Sequence, residues 1–268
     1  MRLLDHEIEL SISLKNENYQ QAPKYADAGF AACELVFPVS YYGQADMKAY
    51  REYLAKAYPF VRENGLRVAA YHMPYGQYWD ISATDEAIRR GAVQSIAALL
   101  ELVSDHEGKN VVLHPSWEPI ADEDREEAHI EACIRSLEEL APLAAQAGKR
   151  IALEDLPRTC LGHTSEEMAR LTREGTLCGV CMDTTHLFHE TPQDFLDRCG
   201  KWVINTHLSD YLNGQDECHW VPGTGSLNWR AIFEKLFALG YEGTFNFEVF
   251  RYVPLEIVNG LKNALARG

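Results

Sequence analysis

The chain has 268 residues, 46% of them hydrophobic and 24% charged, with a formal net charge of −15 at pH 7. This balance is typical of a globular protein with a full core and excludes a largely disordered chain. The negative charge argues against a nucleic-acid-binding protein, because phosphate binding depends on clustered Lys and Arg side chains. We therefore expect no nucleic-acid partner.

The sequence also favours a cytoplasmic protein without membrane contacts. The N-terminal segment MRLLDHEIEL carries charged residues where a signal peptide would need an uninterrupted apolar region. No segment approaches the ~20 apolar residues of a membrane-spanning helix. The seven cysteines are scattered, and we expect them to be reduced thiols. Cys178 and Cys181 should point to opposite faces of one strand.

Eight strand-like segments recur along the chain with helical segments between them. They span residues 7–13, 31–37, 66–72, 109–114, 150–155, 177–183, 202–208 and 243–249. Two intervening segments, 85–106 and 125–148, have the three- and four-residue apolar spacing of amphipathic helices. Apolar strands alternating with helices are typical of a parallel sheet. Because no linker divides the chain, we predict a single (β/α)8 TIM barrel over residues 1–268. An open doubly wound sheet is the alternative, although no GxGxxG loop follows the first strand.

Six of these segments carry a side chain that can bind a metal ion at their last or next-to-last residue. The six residues are His72, His114, Glu154, Asp183, His207 and Glu248. Side chains alternate along a strand, and parallel strands of a barrel end at one rim, so all six should face the same opening. The last four come from neighbouring strands. We expect them to hold one divalent ion, which could be manganese, cobalt, magnesium, zinc or iron.

Further residues near the same strand ends could contact a substrate. They are His72, His114, Trp117, His186, Glu217 and His219. Asp183 and His186 have DxxH spacing where a strand passes into its loop, so both can face one pocket. His72 and His114 could equally bind additional metal ions. The simpler alternative is that each of these residues only makes local hydrogen bonds at its own strand end.

The chain resembles the xylose isomerase-like barrels in seven motifs, which occur in the same order as in that family. That family includes sugar epimerases, inosose dehydratases, hydroxypyruvate isomerases and endonuclease IV. The motifs are YHMPYG, LHPSWEP, LEDLPR, CMDTTHLF, HLSDY, CHWVPGTGSLNW and FEVF, and the resemblance spans essentially the whole chain. It implies a metal-ligand quartet like that of the epimerases, whose two glutamates also move protons. The matching residues are Glu154, Asp183, His207 and Glu248.

These features predict a divalent-metal-dependent sugar, sugar-phosphate or inosose isomerase or epimerase. A bound ion would stabilise the enediolate formed when a proton leaves the carbon beside a carbonyl. Glu154 and Glu248 would remove and return that proton, and His186 would donate a hydrogen bond to a substrate oxygen. Loss of hydroxide instead would make the enzyme a dehydratase. The expected partner is a small sugar or polyol, and the chain could form a homo-oligomer.

A multi-metal phosphodiesterase of the endonuclease IV type is the main alternative. Nine residues resemble that enzyme's three-metal ligand pattern, with Glu217 where the motif has aspartate. They are His72, His114, Glu154, Asp183, His186, His207, Glu217, His219 and Glu248. The net charge of −15 argues against a DNA surface. A non-catalytic metal- or sugar-binding barrel is a third interpretation.

Overall fold

The computed structural model describes residues 1–39, 41–117, 120, 127–212, 217–249 and 253–267. Eight parallel strands form one sheet: β1 Leu10–Leu14, β2 Ala32–Val36, β3 Arg67–His72, β4 Asn110–Leu113, β5 Arg150–Glu154, β6 Gly179–Asp183, β7 Val203–His207 and β8 Phe245–Phe247. Eight α-helices alternate with them: α1 Ala22–Asp27, α2 Met47–Glu63, α3 Glu86–Val103, α4 Glu127–Gln146, α5 Ser165–Leu171, α6 Pro192–Cys199, α7 Trp229–Ala238 and α8 Pro254–Arg267. None of the helices in the described ranges is both long and apolar enough to cross a bilayer.

The sheet closes into a barrel. From β1 to β7 each strand pairs with the next, β8 pairs with β1 through Phe245 and Leu10, and one isolated bridge from Leu208 to Phe247 joins β7 to β8. Between β7 and β8, the Leu208 N–H donates to the Asn246 carbonyl at 2.8 Å and the Glu248 N–H donates to the Leu208 carbonyl at 3.2 Å. The (β/α)8 fold predicted from the sequence is confirmed, and the strands end together at one rim.

The chain departs from the prediction at its start, where segment 7–13 was expected to form one strand. Residues Arg2–Leu3 and His6–Glu7 instead form a short antiparallel hairpin, and β1 begins only at Leu10. The hairpin turn places Leu4 and Asp5 at φ of 46° and 64°. The alternating pattern of EIELSIS therefore continues through two separate strands. Residues 125 and 126, the first two of the helical segment predicted at 125–148, lie outside the described ranges.

Side-chain alternation places the strand-end residues above an interior layer. Val112, Ala152 and Cys181 pack together inside the barrel, apart from the main core. Each of them lies two residues before a predicted site residue, namely His114, Glu154 and Asp183. Side chains two residues apart share a face of the strand, so these three site residues also point into the barrel, toward its opening. Cys178 packs in the main core and Cys181 in the interior layer, as expected for opposite faces. All seven cysteines are free thiols.

Part of the barrel interior is polar rather than hydrocarbon. Ser11 Oγ donates to Asn246 Oδ1 at 2.8 Å, and Asn246 Nδ2 donates to Ser13 Oγ at 2.9 Å. Asn205 Nδ2 donates to Glu34 Oε2 at 3.0 Å. These side chains come from β1, β2, β7 and β8, and all of them are buried. A satisfied buried network of this kind fixes the side chains that it contains.

The long loop after β7 is held by a buried carboxylate. Asp210 accepts hydrogen bonds from the Gly223 N–H at 2.7 Å and the Trp229 indole N–H at 2.9 Å, and it is 0% exposed. A Cβ at Gly225 would lie 2.4 Å from Asp210 Oδ1 and 2.3 Å from the Tyr211 carbonyl oxygen, so only glycine fits this approach. Asp210 thereby shapes the loop that carries Glu217 and His219 over the barrel opening.

Replacing Asp210 should destabilise the fold. We expect Asp210→Ala to lower the free energy of unfolding by about 3 kcal/mol, because buried donors lose a charged acceptor. Asp197→Ala is the matched control, since Asp197 is 65% exposed and its ion pair with Lys235 lies at the surface. It should change stability by no more than about 0.5 kcal/mol. Urea unfolding measures both, and equal losses would contradict this role for Asp210.

Candidate metal centre and active site

The six predicted strand-end residues lie together at the carboxyl rim of the barrel. Four of them close β3, β5, β6 and β7, and the other two follow β4 and β8 by one residue. One ligand atom from each of Glu154, Asp183, His207 and Glu248 lies within 4.8 Å of the others. The structure therefore brings the predicted quartet into one cluster. Its members come from four neighbouring strands, as the barrel order requires.

The distances within this quartet suit donors around a single cation. His207 Nδ1 lies 2.9 Å from Glu154 Oε1, 3.2 Å from Glu248 Oε2 and 3.9 Å from Asp183 Oδ2. Two donors bound at about 2.1 Å to one ion at a near-right angle are about 3 Å apart. The shorter contacts match this spacing.

Asp183 provides the test of whether a cation fits. Its Oδ1 accepts hydrogen bonds from the Thr185 N–H at 2.6 Å and from Thr185 Oγ1 at 2.9 Å. Its Oδ2 is buried within the quartet and has no hydrogen-bond donor among the described residues. A buried carboxylate oxygen without a donor is costly unless a cation satisfies it. The donor set therefore fits a divalent ion.

Two histidines have the hydrogen-bond pattern of metal ligands. His72 Nδ1 donates to the Met73 carbonyl at 2.8 Å, and His186 Nδ1 donates to the Asp155 carbonyl at 2.8 Å. Because a carbonyl oxygen only accepts, each ring carries a proton on Nδ1, and its Nε2 faces inward. Metal-binding histidines usually anchor their second nitrogen in this way. These rings are thus oriented before any ligand arrives.

Two further donor groups adjoin the quartet and share residues with it. One consists of His72, His114 and Glu154, and the other of Asp183, His186 and His219. Glu217 borders the second group, with Oε1 at 3.0 Å from His219 Nε2 and 3.5 Å from His186 Nε2. The site therefore has donors for more than one ion.

The charges in the site favour the ionised form of its glutamates, whereas burial raises the pKa of Asp183. Burial alone would raise the pKa of Glu154, but the charges of His207 and His114 hold that pKa well below its ordinary value. Glu217 follows the same pattern, because its hydrogen bonds to His186 and His219 outweigh burial and lower its pKa. Ionised carboxylates are the form that binds a metal ion.

The cluster opens into a cavity of about 460 Å³. All the predicted substrate-binding residues line it: His72, His114, Trp117, Glu217 and His219, together with His186. Aromatic rings form one wall. Tyr75 stacks on His114 with a centroid distance of 4.4 Å, and Tyr41 lies 5.4 Å from Trp117. The cavity thus combines polar donors at its base with an aromatic side, as small-molecule sites often do.

Three charged residues of this region were not predicted from the sequence. Glu34 lies inside the barrel, where His207 Nε2 donates to its Oε1 at 3.0 Å. Lys15 and Arg158 line the cavity, and Arg158 Nη1 is 3.2 Å from Glu217 Oε2. A carboxylate in the apolar run AACELVF was the available clue to Glu34. The two cations lie in loops, and no pattern in the sequence indicates their direction.

Comparison with known proteins assigns the family. A family model described as a xylose isomerase-like TIM barrel matches residues 23–266. The chain belongs to this family. The match confirms the resemblance that the seven motifs gave.

The proteins similar to this chain share only about a fifth to a quarter of its sequence in the aligned regions. The uncharacterized protein MJ1311 of Methanocaldococcus jannaschii is 26% identical over 185 residues, which cover 66% of this chain and 62% of that protein. The chain thus matches less than two thirds of that relative's length. A D-tagatose 3-epimerase-like protein superposes with a TM-score of 0.76 at 20% identity, over 96% of this chain and 98% of the other. The 3-keto-D-glucoside 4-epimerase YcjR from E. coli gives 0.71 at 21% identity, over 97% and 98%. At these identities the structural likeness establishes a shared fold.

Asp183→Asn should abolish tight metal binding without unfolding this barrel. The asparagine Oδ1 can keep both hydrogen bonds from Thr185, but an amide NH₂ replaces the oxygen that faces the quartet. We expect affinity for manganese, cobalt or zinc to fall at least about 100-fold, measured by titration calorimetry. Asp27→Asn, on the exposed surface of α1, is the control. Unchanged affinity in Asp183→Asn would show that any bound ion lies elsewhere.

Asp155 should make the stability of the metal-free protein depend on pH. The residue is fully buried next to Asp183, and burial raises its pKa well above the ordinary value. The folded chain therefore holds a proton that the unfolded chain releases near about pH 4. This contribution to stability is complete below that pH and is lost as pH rises toward the folded-state pKa.

Asp155→Asn removes this titration. Between about pH 4 and pH 8, we expect the unfolding free energy of the variant relative to the original chain to rise by up to about 1.4 kcal/mol per pH unit. Urea unfolding in the presence of a chelator measures the difference. Parallel pH profiles for the two proteins would contradict the raised pKa of Asp155.

Proposed function

We propose that this chain is a divalent-metal-dependent sugar isomerase or epimerase. The observation that carries the proposal is Asp183 Oδ2, a buried oxygen that accepts no hydrogen bond from the described residues. It lies in a quartet of strand-end donors at the base of a cavity of about 460 Å³. The quartet of Glu154, Asp183, His207 and Glu248 would hold the ion. An ion there would act as a Lewis acid that stabilises negative charge on a substrate carbonyl when a proton leaves the adjacent carbon.

The two glutamates are suited to different parts of the proton transfer. Glu248 lines the cavity and its side chain is 13% exposed, so it can approach a substrate carbon directly. Glu154 is deeper, at 1% exposure, with Oε2 held 3.1 Å from His72 Nε2 and 3.2 Å from His114 Nε2. We assign proton removal and return to this pair. A proton returned to the opposite face would invert the centre, and a proton returned to the next carbon would isomerise the sugar.

The remaining cavity residues would orient the substrate. His186 would donate a hydrogen bond to a substrate oxygen, and His72, His114, Glu217 and His219 would contact hydroxyl groups. Trp117 would pack against the carbon skeleton. The likeness to a D-tagatose 3-epimerase-like protein and to a 3-keto-D-glucoside 4-epimerase supports a sugar or polyol substrate. They concern different carbons, so the proposal names the chemistry and leaves the carbon position open. We further propose that residues 1–268 act as one cytoplasmic domain, which could form a homo-oligomer.

Proton–deuterium exchange tests this function directly. The metal-loaded protein is offered ketoses, inososes and hydroxypyruvate in heavy water, and NMR monitors the carbon beside each carbonyl. We expect deuterium to enter one substrate class. Glu154→Gln and Glu248→Gln should each slow exchange by about 100-fold or more, because an amide cannot accept the proton.

Glu242→Gln is the matched control for these variants. Glu242 is exposed near the start of β8, at the opposite end of the strand from Glu248. It should exchange deuterium at the original rate. Full activity in either Glu154→Gln or Glu248→Gln, with the fold intact by circular dichroism, would refute the assigned proton transfer. A product with a new carbon–carbon double bond would identify the dehydratase branch.

A multi-metal phosphodiesterase is the second candidate, and the adjoining donor groups favour it. The groups around His114 and His219 could hold ions beside the quartet, and several ions suit cleavage of a phosphodiester. The net charge of −15 opposes DNA binding. Elemental analysis of the purified protein and cleavage of an abasic-site oligonucleotide distinguish the two. Multiple tightly bound ions, cleavage and no deuterium exchange would together favour the phosphodiesterase.

A further inference from the structure

A fully buried carboxylate lies behind the quartet, on the side away from the cavity. Glu34 belongs to β2 and is 0% exposed. Its Oε1 is 3.0 Å from His207 Nε2 and 3.3 Å from Ser13 Oγ, and its Oε2 is 3.0 Å from Asn205 Nδ2. In the described part of the chain, no Lys or Arg forms an ion pair with Glu34. His207 is its one partner that can carry positive charge.

A carboxylate buried this deeply needs hydrogen-bond donors and a countercharge to offset the free-energy cost of leaving water. Burial of an ionised group without a countercharge costs several kcal/mol even after relaxation. Ser13 and Asn205 both donate to Glu34, so the carboxylate remains an acceptor and its plane is held from two sides. The third direction is left for the His207 ring. The arrangement is therefore specific to one imidazole nitrogen.

His207 connects this buried carboxylate to the quartet. Its Nε2 faces Glu34, whereas its Nδ1 faces Glu154 and Glu248 at 2.9 and 3.2 Å. A carboxylate only accepts, so the Glu34 contact requires a proton on Nε2, and an ion held by the quartet would require the lone pair of Nδ1. The ring meets both requirements only as the Nε2–H tautomer. Carboxylate, imidazole and metal in a row is a known way to orient a ligand.

We propose that Glu34 is a positioning residue for the metal centre, which fixes the Nε2–H tautomer and the ring orientation of His207. The inference rests on the proposed function, because it requires an ion at the quartet. Glu34 touches neither the cavity nor the reacting atoms. Its effect reaches them only through His207.

Cobalt binding to the full chain tests this role. Calorimetry and the visible spectrum of Co²⁺ are recorded for the chelator-treated original protein and for Glu34→Gln, Glu34→Ala and Ser136→Ala. We expect the affinity to fall about tenfold in Glu34→Gln and about 100-fold in Glu34→Ala. Ser136→Ala is the control, because the Ser136 hydroxyl is buried on α4, donates to the Ile81 carbonyl at 2.7 Å and contacts neither Glu34 nor His207. Its affinity and spectrum should stay unchanged.

A tautomer measurement separates positioning from a general structural role. Long-range proton–nitrogen NMR of the zinc-loaded protein should show His207 with its proton on Nε2, and a mixture of tautomers in Glu34→Ala. A purely structural role would lower the thermal midpoint without changing the tautomer or the affinity of the folded fraction. If Glu34→Ala does not fold, the tautomer and affinity of Glu34→Gln decide the question.

The outcomes also separate this inference from the proposed function. Cobalt bound as tightly by both Glu34 variants as by the original protein would overturn the role of Glu34 and leave the proposed function intact. An equal loss in Ser136→Ala would also overturn it, since the effect would then come from a general loss of buried hydrogen bonds. An original protein that binds no divalent ion would overturn both.

Discussion

Closure of the barrel is the constraint on which the site depends. Glu248 follows the last strand and His207 ends the strand before it. The two strands meet through the hydrogen bonds of Leu208 with Asn246 and Glu248, and the Asn246 N–H also donates to Thr206 Oγ1 at 3.2 Å. That seam brings His207 Nδ1 to 3.2 Å from Glu248 Oε2. A sheet left open there would keep three donors of the quartet together and lose the fourth. The site is therefore a product of the whole fold and not of one local motif.

A second constraint is the concentration of buried charge at the rim. Glu154 contacts three imidazoles within 3.2 Å, with His72 and His114 at one oxygen and His207 at the other. In the metal-free chain, protons on His72 and His207, whose pKa values are raised, can supply the positive charge that a buried carboxylate needs. A cation would supply it instead and displace those protons. The same geometry thus serves both states, and it explains how the metal-free chain can tolerate so many ionisable groups in one place.

Much of the fold and the quartet could be predicted from the sequence, because strand alternation gives direction as well as position. An apolar strand that ends in a donor indicates both where the donor lies and which way it points. The hairpin at Arg2–Leu3 and His6–Glu7 was missed, since its apolar alternation runs on into β1 without a break. Glu34 was missed because a single carboxylate in an apolar strand forms no repeating pattern. The residues that its side chain meets depend on the register of the neighbouring strands in the barrel. Arg158 was missed because its direction depends on loop conformation, including a φ of 62°.

The polar barrel interior and the aromatic wall of the cavity are built by different parts of the fold. Asn246 donates to Ser13, Ser13 donates to Glu34, and Glu34 accepts from His207, so one hydrogen-bonded path links four strands to the quartet. A fully satisfied buried network is rigid, and groups on strands are held more precisely than groups on loops. The aromatic wall comes instead from loops, such as the one that carries Tyr41. Strands therefore hold the quartet, whereas loops form the wall of the cavity. The residues of that wall can change without moving the quartet.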